Sequence, residues 1–391
     1  MTRESIVELL TAWRPKYKRA SRKEKGRILD ELEQLTGYHR KSLIRALSRQ
    51  YTGKGRRGRP RTYTNEVRAA LAEVWELSGR LCSKRLAPFM EEFLEVLERC
   101  GELKLRAEVK ELLVRMSPAT MDRILKLVRP ERKRRGPAPR AAGQLKGKVP
   151  VRVGWGSGVR PGYVELDLVA HCGTTTKGEY LHTLNVVDIA TSWCEPVVIR
   201  NRGREEVTRA LEEVKERLPF PLLGIDSDND SAFLNGHLLA WCKEGGVEFT
   251  RCRPYRKNDQ AHIEQKNWVA VRQLIGYDRY EGKEEAELME AVYRDWRLLV
   301  NFFQPVRKLV RKERGDGRVQ KIYDKARTPY RRVLERPEVR EEEKQRLQEL
   351  YHSLNPRGDK EADGGKFKET VATAKVTQLG GKTEAFGNTY L

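Results

Sequence analysis

A chain of 391 residues with 38% hydrophobic residues is too long and too polar for one compact globule, and implies two to four domains. No apolar run is long enough to span a bilayer, and the first twenty residues lack the apolar stretch of a signal peptide, which predicts a cytoplasmic, nucleoid-associated protein. Lys and Arg number 78 against 56 Asp and Glu, and a formal charge of +22 predicts a polyanionic partner rather than a neutral one.

In chain order, residues 22–50 read as two helices. Ile28, Leu32 and Leu35 are at helical spacing, Thr36-Gly37 breaks the pattern, and Leu43, Ile44 and Leu47 resume it. A helix, a short Gly turn and a basic second helix predict a helix-turn-helix over residues 1–50, with Arg40, Lys41, Arg45 and Arg49 facing DNA; a plain helical hairpin is the competing reading. Residues 51–64 form a basic linker. Its Arg57-Gly58-Arg59-Pro60, followed by Arg61, is similar to an AT-hook, an extended arm whose arginines enter a narrow minor groove.

Residues 65–130 read as a second helical, DNA-binding unit. Thr64 and Ser83 are placed to cap helices, and Leu86, Phe89, Phe93, Leu94 and Leu97 form a wide apolar face. Ser117-Pro118 starts a further helix with Met121, Ile124, Leu125 and Val128 inward and Thr120, Arg123 and Lys126 outward. Residues 131–155 form a second basic linker; 129–148 hold eight basic residues against Glu131 alone. The six cysteines include no Cys-x-x-Cys pair, so they read as reduced and structural rather than as a zinc or redox site.

From about residue 160 the periodicity changes. Strands are predicted at 163–169, 180–189 and 194–199, a helix at 204–218, a strand at 222–225, a helix at 232–242, a strand at 247–250 and a long helix at 258–275. The order βββαβαβα predicts an α/β, RNase H-like core, a mixed five-stranded sheet covered by helices, over residues 156–300. Residues 301–391 form a C-terminal extension whose Gly- and Lys-rich tail, after about 355, is expected to be mobile.

Three carboxylates fall where this layout brings them together. Asp167 is inside the first strand among apolar residues, where an acid is costly unless it is paired or binds metal. Asp228 follows the fourth strand in Gly-Ile-Asp-Ser-Asp-Asn-Asp-Ser, and Glu264 is in the first turns of the long helix; 35 residues separate the last two. Each acid alone is more often a structural or surface charge. An aspartate within the first strand, an aspartate in Ser-Asp-Asn and a helical glutamate at this spacing together resemble the DDE transposases and retroviral-type integrases, within the bacterial insertion-sequence transposases. Asn301-Phe-Phe-Gln-Pro-Val306 and the Tyr-Asp-Lys…Thr-Pro-Tyr pattern at 323–330 share the resemblance, which covers about residues 115–335. Two positions depart from or complicate it: Asp230 stands where relatives carry Gly, and Asp226 lies two residues before Asp228 as a supporting acid.

The resemblance implies a transposase that binds the terminal inverted repeats of its element, exposes 3′-hydroxyl ends and joins them to target DNA. It implies Asp167, Asp228 and Glu264 as catalytic residues and as ligands of Mg²⁺ or Mn²⁺, two ions in all, since hard cations favour oxygen donors. It implies duplex DNA, both element ends and target, as partner, and a homodimer or higher homo-oligomer. Tyr255, Arg256, Lys257, Gln260, Lys266 and Asn267 are expected to contact DNA, His262 to face substrate or pack, and Trp268 to belong to the core. The alternatives are a catalytically silent, transposase-derived DNA-binding protein and an RNase H-like nuclease that cuts without joining.

Overall fold

The computed structural model describes residues 3–48, 62–128, 149–152, 155, 158–253, 260–315 and 318–357. They fall into two compact units divided between Thr62 and Tyr63. The AT-hook-like arm with Arg57, Arg59 and Arg61, residue Arg49, most of the 131–155 linker and the tail after 357 lie outside the described residues.

The first unit holds three helices, α1 (Arg3–Arg19), α2 (Arg22–Thr36) and α3 (Arg40–Ser48). Ser21 caps α2 through a reciprocal box with Glu24, and Gly37 ends it at φ 70°, a left-handed conformation that Gly adopts without strain. Ile6, Leu10, Ile28, Leu29, Leu32, Leu43 and Leu47 form the core. Leu35 and Ile44, expected inside, are exposed. Leu29 and Leu32 supply the buried stripe of α2, and Leu43, beside Ile44, takes the inward position on α3.

The second unit begins with α4 (Asn65–Leu77), α5 (Ser83–Leu86), α6 (Met90–Arg99), α7 (Ala107–Val114) and α8 (Pro118–Leu125). Thr64 caps α4 and Ser117 caps α8 as expected. Ser83 does not cap α5: it is the first helical residue and is buried, and Cys82 precedes it without a side-chain cap. The apolar faces of these helices join one continuous core with the sheet and with Phe302, Phe303, Tyr330 and Tyr351. Polar contacts tie the same regions together: Arg331 pairs with Glu92 at 2.9 Å, and Gln304 donates to the Ser78 carbonyl at 2.6 Å.

Next come β1 (Tyr163–Ala170), β2 (His182–Asp188), β3 (Cys194–Ile199), α9 (Arg204–Arg217), β4 (Gly224–Ser227), α10 (Gly236–Glu244) and β5 (Glu248–Arg251). The sheet order is β3-β2-β1-β4-β5; β1–β2 and β2–β3 are antiparallel, β1–β4 and β4–β5 parallel. This is the mixed five-stranded sheet of an RNase H-like fold. The entry to β1 depends on Gly162, at φ 106°, where a Cβ would fall 2.2 Å from the Pro221 carbonyl oxygen. Its own carbonyl accepts from Leu223 and Gly224, which fixes β4 against β1.

One sheet face packs under α9. The other is covered by α11 (Ala261–Lys266), a π-helical turn at Asn267–Arg272, α12 (Gln273–Ile275) and α13 (Lys283–Phe303). A two-stranded ribbon of β6 (Leu309–Gly315) and β7 (Arg318–Tyr323) and the helices α14 (Pro329–Leu334) and α15 (Glu341–Ser353) complete the unit. All six cysteines are free. No described helix is long and apolar enough to cross a membrane.

Candidate active site

Side chains alternate across a strand, so Glu165 and Asp167 share the β1 face that α11 covers. The parallel register sets Glu165 beside Asp226, and Asp228 continues just past the end of β4. On the other side, the antiparallel register sets Asp167 opposite Asn185 of β2.

Asp167 is partly buried and held from two sides. Its Oδ1 accepts the Leu168 amide at 2.8 Å, and its Oδ2 accepts the Asn267 amide Nδ2–H. Asn267 accepts in turn from Asn185 at 2.7 Å, and the Cys194 thiol donates to Asn185 at 3.1 Å. Burial first, then the charge of Asp228 and to a smaller degree that of Glu264, push the Asp167 carboxyl up to about 7 against the opposing hydrogen bonds from Asn267 and Leu168. Asp167 therefore feels both other acids of the predicted set.

Asp228 is partly buried, and its Oδ1 accepts the Asp230 amide at 2.9 Å, which shapes the turn after β4. Asp230 pairs with Arg202 and accepts the Ala232 amide, so it braces the following turn, while Asn235 caps α10. Asp226 is only 2% exposed and accepts from Thr250 at 2.6 Å inside the sheet. Glu264 is exposed on the first turns of α11. Among the described residues, no three His, Cys, Asp or Glu side chains converge closely enough to hold a metal ion in common. The donor chemistry nonetheless suits a hard divalent cation: all three are oxygen donors, and the proton held on Asp167 by burial and like charge is what a cation would replace.

Glu165, which carries no signal in the motif comparison, underlies this site. It is fully buried and accepts the Ile263 amide at 2.8 Å, so it fastens the start of the helix that carries Glu264. Burial pushes its carboxyl up to about 8, the backbone amides of Ile263 and His262 draw it down, and Asp226 pushes it up. One sequence signal could have found it: Glu165 and Asp167 are two acids at a period of two within one buried strand.

The other predicted contacts divide. Gln260 donates to the Leu166 carbonyl at 3.4 Å, and Asn267 is committed to Asp167 and Asn185. Lys266, expected at a DNA surface, is 3% exposed, and burial lowers its ammonium to about 8. It lies three residues after Ile263 and four before Ala270, both buried, and so shares their inward stripe. Trp268, expected in the core, is 54% exposed, because it stands one turn beyond Glu264 on the outward side. His262 is partly buried, and burial depresses its imidazole to about 4 with a further push from Lys308. Lys41, Arg45 and Arg123 are exposed; Arg123 folds back to Thr120 and the Ala119 carbonyl. Arg40 is engaged inside its own unit, with Asp30 and the Gly26 carbonyl. Tyr255, Arg256 and Lys257 lie outside the described residues.

Residues 160–257 match the family model described as an integrase core domain, which supports a polynucleotidyl-transferase or recombinase type of function. The uncharacterized protein y4rM of Sinorhizobium fredii (strain NBRC 101917 / NGR234) is 44% identical over 336 residues, which cover 82% of this chain and 92% of that protein. The chain belongs to the same family as y4rM. Among solved structures, the chain is similar to the catalytic core domain of BIV integrase in crystal form I, at 19% identity over 44% of this chain and 91% of that one, with a TM-score of 0.30. It is similar also to the HTLV-2 integrase catalytic core domain in complex with magnesium, dimeric form, at 15% identity over 38% and 92% of the two chains, with a TM-score of 0.29.

Proposed function

We propose that this protein is a DDE-type transposase that binds the terminal inverted repeats of its element, cleaves to expose 3′-hydroxyl ends and joins them to target DNA by metal-dependent phosphodiester transfer. One observation carries the reading: Asp167 within β1, Asp228 just past the neighbouring parallel β4, and Glu264 on α11, whose following residue Asn267 bonds Asp167, are set on adjacent elements of an integrase core. Asp167, Asp228 and Glu264 would hold Mg²⁺ or Mn²⁺, two ions in all. Such ions, when bound, favour attack by water or a 3′-hydroxyl and stabilise the leaving oxygen.

The chain's own residues supply the positioning. Glu165 anchors the helix of Glu264, Asn267 orients the Asp167 carboxylate, and the turn after β4 aims Asp228. Asn267→Ala is expected to lower strand joining about 10–100-fold, the usual cost of removing a partner that orients a metal-binding carboxylate. A joining assay checks this, and full activity in the variant would remove Asn267 from the site.

End recognition is proposed for the α2–turn–α3 segment, with Lys41 and Arg45 toward DNA, aided by the Arg57/Arg59/Arg61 arm and by Arg123. Arg40 is assigned a structural role from its contacts with Asp30 and Gly26. Lys41→Ala with Arg45→Ala should weaken binding to the element end about tenfold or more, at about 1–3 kcal/mol for each base-reading side chain removed, and weaken binding to a scrambled duplex less. Equal weakening on both duplexes would reduce these residues to phosphate contacts. The assembly is proposed as at least a homodimer on paired ends, in the cytoplasm with the nucleoid.

The full chain, a duplex carrying the element's end, and Mg²⁺ test the function. Transposase activity gives a product longer than the substrate, formed by transfer of the 3′ end into a second duplex. Cutting without joining identifies a nuclease, and binding without either identifies a silent DNA-binding protein.

A further inference from the structure

The ribbon of β6 and β7 stands outside everything assigned so far. Its base is clamped. Val306 and Arg327 exchange backbone hydrogen bonds at 2.8 and 3.2 Å, the Lys308 amide donates to Asp324 at 2.6 Å, and Arg332 holds the other Asp324 oxygen at 2.7 Å. The Lys308 ammonium donates to the Ile189 and Ala190 carbonyls, at 2.5 and 2.8 Å, which ties the base to the turn between β2 and β3. Beyond this clamp, the described side chains of the ribbon are exposed apart from Ile322, including Leu309, Val310, Val319 and Tyr323. An isolated two-stranded ribbon is marginal in water, and one that buries neither face has little to stabilise it.

The two faces differ in charge. On one, Arg311 pairs with its own neighbour Glu313 at 2.7 Å. On the other, Lys312 is directly opposite Lys321, and Arg314 opposite Val319. None of Lys312, Arg314 and Lys321 has an ion-pair partner among the described residues. Like charges directly across an antiparallel pair destabilise it, so this face is arranged for a surrounding of negative charge. A two-stranded ribbon is also one of the shapes that a DNA groove admits.

We propose that the β6–β7 ribbon is a DNA-contacting arm, laid against duplex phosphates through Lys312, Arg314 and Lys321, with Val319 beside them. The proposal rests on the reading of the chain as a DNA-joining enzyme but concerns binding alone.

The test uses the full chain, a mixed-sequence duplex and a chelator, with affinity measured over a range of salt. Lys312→Ala, Arg314→Ala and Lys321→Ala together should reduce the slope of log affinity against log salt by about 3, close to one unit for each phosphate no longer neutralised. Lys312→Arg with Lys321→Arg should keep the wild-type slope, and both variants should melt as the wild type does. An unchanged slope in the triple variant overturns the arm. So does an unchanged slope with a smaller oligomer in sedimentation, which would make the ribbon an interface between protein copies. A reduced slope in the charge-preserving pair also overturns it, since that would be a fault of folding. If the wild type fails to join DNA while the slope falls as expected, the transposase reading fails and the arm stands. If it joins and the slope does not fall, the reverse holds.

Discussion

Asp167→Asn, Asp228→Asn and Glu264→Gln should each reduce strand joining by about 1000-fold or more and leave duplex binding intact. Each replacement keeps the shape of the side chain and removes the charge that would hold a cation. A catalytic metal contributes several kcal/mol of transition-state stabilisation, and each 1.4 kcal/mol is tenfold in rate. Binding is retained because the proposed end-reading residues, Lys41, Arg45, the Arg57/Arg59/Arg61 arm and Arg123, all precede these acids in sequence and none of them is replaced. Asp226→Asn is the informative control. Asp226 is buried and satisfied by Thr250 within the sheet, so its replacement should disturb packing more than chemistry. Should Asp226→Asn abolish joining while Asp228→Asn retains it, the second carboxylate has been misassigned.

Glu165 gives the second large effect, on stability. Glu165→Ala strands the buried Ile263 amide and leaves a void beside β4, and should cost about 2–4 kcal/mol, with joining falling as the start of α11 loosens. Glu165→Gln should be far milder near pH 7. Burial holds the Glu165 carboxyl at about 8, so the wild-type side chain is neutral there and the amide copies its shape and charge. The pH dependence has a definite sign. A carboxyl with a raised folded pKa contributes stability that is present below its unfolded value near 4.5 and is lost as the pH rises toward 8. Gln does not titrate, so the variant should gain on the wild type by up to about 1.4 kcal/mol per pH unit between pH 5 and 8. Chemical denaturation at three pH values measures this; a constant gap would mean that Glu165 is ionised throughout.

Much of the core is legible in the sequence because its signals are local. Alternation marks β1, β2 and β3, and the acid spacing selects Asp228 and Glu264. What escapes depends on packing. The fourth strand, expected at 222–225, runs Gly224–Ser227, because the Gly162 carbonyl takes the Leu223 and Gly224 amides before the ladder begins. That shift puts Asp226 inside the strand, where Thr250 satisfies it. Lys266 and Trp268 exchange their expected places because the inward stripe of the helix is set by Ile263 and Ala270, not by residue type. Helix α1 is hidden in the sequence: its buried Ile6 and Leu10 are spaced helically, but Arg, Lys and an internal Pro15 surround them. Helices α4–α8, read as a separate unit, share a core with Phe302, Tyr330 and Tyr351, aromatic residues from the far end of the chain. The helical periodicity of residues 65–125 shows an apolar face but not what covers it.

The central claim is that Asp167, Asp228 and Glu264 bind divalent metal together. Manganese binding, followed by electron paramagnetic resonance on the full chain with duplex DNA present, tests it most directly. The account predicts bound Mn²⁺ in the wild type, disappearance of that signal in Asp167→Asn, Asp228→Asn and Glu264→Gln, and retention in Asp226→Asn. Equal Mn²⁺ binding by the wild type and all three acid variants would contradict it.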